Sequence, residues 1–159
     1  MPCHARSPAA PDLRWQCDAV TSDELLAFVR RRGLAVLASC HPSGGPEAAL
    51  VGVAATDQGE IVLDTLRQSR KYRNLLANPA VALVVGLDDE VTVQLEGIAD
   101  TPTGEVLRRC KDAYFEQFPD GRARAEDSNV AHVRVRITWL RYSDFRPAPA
   151  RIEESSFRF

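Results

Sequence analysis

No apolar run in the 159-residue sequence approaches the ~20 residues needed to span a bilayer as a helix, so a membrane protein of that kind is excluded. Its four cysteines form no Cys-x-x-Cys pair, and its three histidines combine with them at no metal-ligand spacing, although Cys40 and His41 are adjacent. No metal site is therefore expected. The start of the chain lacks the apolar centre of a signal peptide, which points to a cytoplasmic protein with free thiols. A basic excess is missing too: 20 Lys and Arg against 22 Asp and Glu leave a net charge of −2, against the balance of a general nucleic-acid binder. Regular alternation of strand and helix is absent, which argues against a doubly wound parallel sheet. What remains is a soluble composition, 45% hydrophobic and 26% charged, at a length that suits one domain with a real core.

Residues 1–20 hold Pro2, Pro8 and Pro11 without usable periodicity and read as a mobile arm. Thr21 or Ser22 can cap a helix from about Asp23, with Leu25, Leu26, Phe28 and Val29 on one face and Gly33 as its left-handed stop. Leu34–Cys40 and a run from Glu47 to about Ala55 form a hairpin around a Gly-rich turn, and Glu60–Thr65 reads as a third strand. Ala80–Gly86 is small, apolar and β-branched, as in a strand covered on both faces. From Glu90 the pattern alternates, Val91, Val93 and Leu95 against Thr92, Gln94 and Glu96. Thr103 can cap a helix reaching about Phe118, and residues 122–129 read as a loop. Alternation returns from Val130 to Tyr142, with Val133, Val135, Ile137 and Trp139 opposite Arg134, Arg136 and Thr138. Residues 21–146 are thus expected to form one domain, mainly β with peripheral helices, a six-stranded antiparallel split β-barrel, and 147–159 a tail.

One stretch breaks a local rule. After the strand Ile61–Leu63, Ser69 is placed to cap a helix that stops at Asn78-Pro79. Arg67, Arg70, Lys71 and Arg73 crowd its start, with no acidic residue after Asp64. The positive end of a helix dipole disfavours such cations by roughly 0.3–1 kcal/mol each. A phosphate there would resolve the conflict through backbone N–H groups, a Ser hydroxyl, a guanidinium and an ammonium; the alternative is an ordinary solvated basic face.

The hairpin, the strand ending Asp64-Thr65, then Ser69-Arg70-Lys71, Asn74-Leu75, Asn78-Pro79 and an apolar strand together resemble the FMN-binding split barrels, the pyridoxamine 5′-phosphate oxidase-like proteins. The resemblance covers about Asp23 to Phe145. It implies that Arg70 and Lys71 hold the FMN phosphate with hydroxyls from Ser69 and Thr65, beside Asp64. It also implies that Leu50 and Val51 lie along the isoalloxazine ring through backbone groups, that Thr92 reaches the ring or ribityl chain with Gln94 nearby, and that Trp139 is an aromatic near the cofactor. Two subunits share each cofactor in such proteins, so a homodimer is implied. Thr92 and Gln94 also suit a solvated strand face, and Trp139 a core or interface position.

The chain departs from the true pyridoxamine phosphate oxidases. It has Ala49 and Ala54 where they carry basic residues, and Leu140 to Phe145 where they close with a substrate-binding Arg and His motif. Vitamin B6 oxidation is therefore not expected. No Ser/His/Asp set, carboxylate pair or activated cysteine stands out, as befits a site whose cofactor carries the chemistry, so no catalytic residue is named. The resemblance implies a flavin-dependent oxidoreductase acting on a small molecule, with hydride transfer at the flavin. Alternatives on the same fold are a reductase using the deazaflavin F420 and a non-catalytic flavin or haem sensor.

Overall fold

A computed structural model describes residues 22–156. The expected N-terminal arm, with Cys3, His4 and Cys17, lies outside the described residues, as do Thr21 and residues 157–159. Four helices and eight strands follow in chain order. They are α1 (Ser22–Arg32), β1 (Leu34–Cys40), β2 (Pro46–Gly52), β3 (Ala54–Ala55), β4 (Ile61–Leu66), α2 (Arg70–Ala77), β5 (Ala80–Val85), β6 (Val91–Asp100), α3 (Gly104–Gln117), α4 (Gly121–Arg124), β7 (Val130–Asp144) and β8 (Arg151–Ser156).

All the strands join one antiparallel sheet in the order β2-β1-β5-β6-β7-β4-β3, with β8 added beside β7. The sheet curls into a half-barrel whose two sides, β2 and β4, approach without a ladder between them. Inward residues from β1, β4, β5, β6 and β7, with Val53 between β2 and β3, fill the interior: Leu37, Val53, Leu63, Leu83, Leu95, Val135 and Leu140 are all at or below 1% exposure. Burying each Leu or Val side chain contributes roughly 1.5–3 kcal/mol, so this interior holds the domain together. The α1 helix closes one end with Leu25, Phe28 and Val29, and Gly33 at φ 64° ends it as expected.

Among the described residues the strands number eight rather than six, because the run read as one strand to Ala55 breaks after Gly52 and because β8 forms inside the stretch expected to be tail. Its pairing with Trp139–Asp144 is a contact that no local pattern announces. The stretch 122–129, read as loop, begins inside the short helix α4. β5 is one-sided rather than covered on both faces: Val81, Leu83 and Val85 are buried, but Ala80 and Ala82 are exposed, since nothing in the described chain packs on that face.

The expected phase of β7 holds only as far as Ile137. The β6–β7 register jumps at Glu96 and Gly97, pairing Gly97 with Ile137 but Glu96 with Trp139. The extra residue reverses the inward set, so Leu140 enters the core while Trp139 moves to the outer face opposite Glu96. Glycine is required at this point. A Cβ on Gly97 would stand 2.5 Å from the Arg136 carbonyl oxygen and 2.7 Å from Val135 Cγ1.

Outside the half-barrel, α3 lies over β3, β4 and β7 on a second apolar cluster of Ala54, Val62, Cys110 and Tyr114. A polar cluster seals its edge. Buried Glu60 accepts from Arg109 (2.9 Å), Arg134 (2.9 Å) and Thr56 (3.0 Å), and Arg134 also forks onto Asp100. Burial alone would raise the Glu60 pKa, but the hydrogen bonds from Arg109, Thr56 and Arg134 outweigh it and hold the carboxyl below its usual range. Removing one partner from such a cluster typically costs about 3–5 kcal/mol.

Gly97→Ala should lower the unfolding free energy by about 1–3 kcal/mol, because backbone must move to admit the methyl group. Urea denaturation checks this; an unchanged midpoint would show that the bulge tolerates a side chain.

Candidate functional site

The basic helix start lies where the half-barrel is open. β4 ends in a turn closed by Ser69 N–H donating to Leu66 O (2.9 Å), and Arg67 N–H donates to Asn129 O (2.7 Å) on the approach to β7. Ser69 takes extended geometry and caps α2 as expected, its Oγ accepting from Tyr72 N–H at 3.2 Å. The same Oγ is 3.0 Å from Thr65 Oγ1, so the two expected hydroxyls meet at the helix start. Tyr72, Asn74 and Leu75 bury the other face of α2 against the sheet, and Asn78 terminates it with its N–H on Asn74 O.

The four cations divide. Arg67 donates to Ser128 O (3.0 Å) and the Tyr72 hydroxyl (2.9 Å). Arg70 forms an ion pair with Glu47 of β2, so the carboxylate that α2 lacks in sequence reaches it across the fold. The conflict read from sequence is thereby partly relieved without a ligand. Glu47 is itself held: its Oε2 accepts from Asn74 Nδ2 (2.9 Å), which also donates to Ser39 Oγ (3.1 Å). Lys71 and Arg73 have no ion-pair partner among the described residues.

Two adjoining cavities flank this corner. The first, of about 300 Å3, brings together six expected residues: Leu50 and Val51 from β2, Asp64 and Thr65 from β4, and Ser69 and Lys71. The second, of about 410 Å3, shares Ser69 and Lys71 with it and adds Arg70, Glu47 and Ala49. Thr92 and Trp139 line neither; they stand on the outer face of the sheet, opposite Ser143 and Glu96. The described residues contain no group of three or more His, Cys, Asp or Glu able to hold a metal ion.

Asp64 serves the wall of the first cavity. Its Oδ1 accepts from the Tyr114 hydroxyl (2.8 Å) and its Oδ2 from Arg124 Nε (3.2 Å). Burial and the Asp64 carboxylate both push the Tyr114 pKa up, which keeps that hydroxyl a donor. Arg124, which lines the first cavity, was not legible as a site residue; its only sequence signal is the i,i+4 spacing to Asp120, with which it also pairs. Behind Asp64, across the ladder, His132 is 5% exposed. Its Nε2 is buried without a hydrogen-bond partner, and its ring meets Tyr114 and Phe115 edge-on at 5.5 and 5.6 Å. Burial, then the nearby charge of Lys111, lowers its pKa.

A sequence profile described as pyridoxamine 5′-phosphate oxidase matches residues 21–144. The chain belongs to this family. Within the pyridoxamine 5′-phosphate oxidase family it is 30% identical over 152 residues to the pyridoxine/pyridoxamine 5′-phosphate oxidase of Burkholderia multivorans, covering 89% of this chain and 69% of that one. Its fold is similar to a heme binding protein from Mycobacterium smegmatis, with a TM-score of 0.70, 18% identity, and coverage of 82% of this chain and 57% of that one. It is also similar to a conserved hypothetical protein from Mycobacterium tuberculosis, with a TM-score of 0.68, 23% identity, and coverage of 88% and 91%. The family's split-barrel architecture is thus the fold observed here. The missing basic residues have different settings: Ala49 lines the second cavity, whereas Ala54 is buried in the cluster beneath α3.

A histidine whose pKa is lowered in the fold stabilises it fully above the unfolded value of about 6.5, and that contribution is lost as pH falls towards the folded value. The melting temperature should therefore begin to drop below about pH 6.5, and less so in His132→Gln. Thermal melts from pH 8 to pH 5 decide it; parallel curves for the two proteins would exclude His132 as the cause.

Proposed function

We propose that this chain binds FMN at the start of α2 and acts as a flavin-dependent oxidoreductase on a small molecule. The observation that carries this reading is the first cavity, where two hydroxyls and Lys71, which has no ion pair among the described residues, meet the apolar Leu50 and Val51. That donor set fits a phosphorylated planar heterocycle: Ser69, Thr65, Lys71 and the exposed Arg70 would hold the phosphate, and Leu50 and Val51 would line the ring. FMN, when bound, supplies hydride transfer, and the chain's own part is binding, orientation and exclusion of water.

The reading includes a homodimer. Pro46, Ala48 and Leu50 of β2 and Ala80 and Ala82 of β5 are exposed on the outer face of the sheet, Leu50 at 61%. Thr92, Gln94 and Trp139 share that face with them, so they could touch a flavin only if a second copy brought its cavity against it. Haem is the second reading, supported by the heme binding protein of similar fold. Against it, neither described histidine lines either cavity: His41 is in the β1–β2 turn, and His132 lies behind Asp64. F420 is the alternative flavin-like cofactor for the same helix start.

Purified protein should take up FMN, with a flavin absorbance band and quenched fluorescence, whereas Arg70→Ala combined with Lys71→Ala should lose it while remaining a folded dimer. A colourless protein that takes up neither FMN nor F420 would overturn the assignment. Bound FMN that neither NADH nor NADPH reduces would favour a sensor over an enzyme.

A further inference from the structure

We infer that Glu47 sets this site's affinity for phosphate by competing with the ligand for Arg70; the inference rests on the phosphate reading of the α2 start. Glu47 lines the same cavity as Ser69, Arg70 and Lys71, and its side chain is 18% exposed. One carboxylate oxygen is paired with Arg70 Nη2, and the other accepts from the buried amide of Asn74 at 2.9 Å. Asn74 is held in turn by Ser39, so the carboxylate is anchored from the sheet side. Arg70, by contrast, is 72% exposed and free to move. A phosphate at Ser69 and Lys71 must therefore draw Arg70 from a fixed negative partner while standing near that same negative charge.

Among the residues that line the second cavity, two cations and one anion leave a single net positive charge, which suits a loosely held, exchangeable phosphomonoester better than a permanently bound one. Ala49, without a charged side chain, adds nothing to offset Glu47. Glu47 is thus a positioning residue for Arg70 that weakens, without abolishing, the hold of this corner on a phosphate.

Glu47→Gln keeps an oxygen acceptor for Asn74 but releases Arg70, and FMN should then bind about tenfold tighter or more. Riboflavin, which has the ring without the phosphate, should bind wild type and variant alike. In an Arg70→Gln background most of the Glu47→Gln gain should vanish. Unchanged or weaker FMN binding by Glu47→Gln, or an equal change for riboflavin, overturns the inference. A second measurement uses inorganic phosphate alone: it should raise the melting temperature of Glu47→Gln more than that of wild type. If that difference appears while no flavin binds either protein, the role of Glu47 stands and the flavin reading falls. Equal stabilisation of both proteins by phosphate overturns the role of Glu47.

Discussion

The candidate site depends on how α2 is tied down across the open side of the half-barrel. The tie is the buried amide of Asn74, which donates to Ser39 on β1 and Glu47 on β2 at once. A neutral group making two hydrogen bonds inside the protein fixes orientation as well as distance. It holds the first turn of α2, with Ser69, Arg70 and Lys71, above the gap between β2 and β4. Without it the basic turn would be an exposed helix end, and the two cavities would lose their shared wall.

The gap itself comes from the way the sheet is distributed. β1, β5, β6, β7 and β4 share one apolar interior, but β2 and β3 diverge after Gly52 and leave β2 without a partner on its far side. A continuous ladder there would fill the corner with backbone. Its absence leaves room for the two cavities, one bounded by the Asp64, Tyr114 and Arg124 contacts and the other by Glu47. The outer cluster of Glu60, Arg109, Arg134 and Asp100 acts at a distance by holding α3, and with it Tyr114, against the sheet.

Charge at the α2 start is less one-sided than a linear reading suggests. Arg67 is hydrogen-bonded to the neutral Ser128 carbonyl and Tyr72 hydroxyl, so of the four cations only Arg70, through Glu47, has an ion pair among the described residues. The local helix rule, that cations do not belong in a first turn, holds as electrostatics. It is answered partly by a carboxylate from another strand, Glu47 of β2.

Much of the fold was legible because its causes are local. Alternation placed Val91, Val93 and Leu95 inward, Ser69 and Asn78 bounded α2, and Gly33 ended α1, each set by the chemistry of a few neighbouring residues. The candidate site was legible as far as it lay in consecutive residues, from Asp64 to Lys71, with Leu50 and Val51 added through resemblance to the family. Tertiary structure alone decided the rest: the bulge that moved Trp139 outward, the pairing of β8, the exposed face of β5, and the convergence of Glu47 and Arg124 on the cavities. The physical reason is that period and capping act within a turn or a strand, whereas register and ion pairing between distant strands depend on how the whole sheet curls, which no short stretch of sequence specifies.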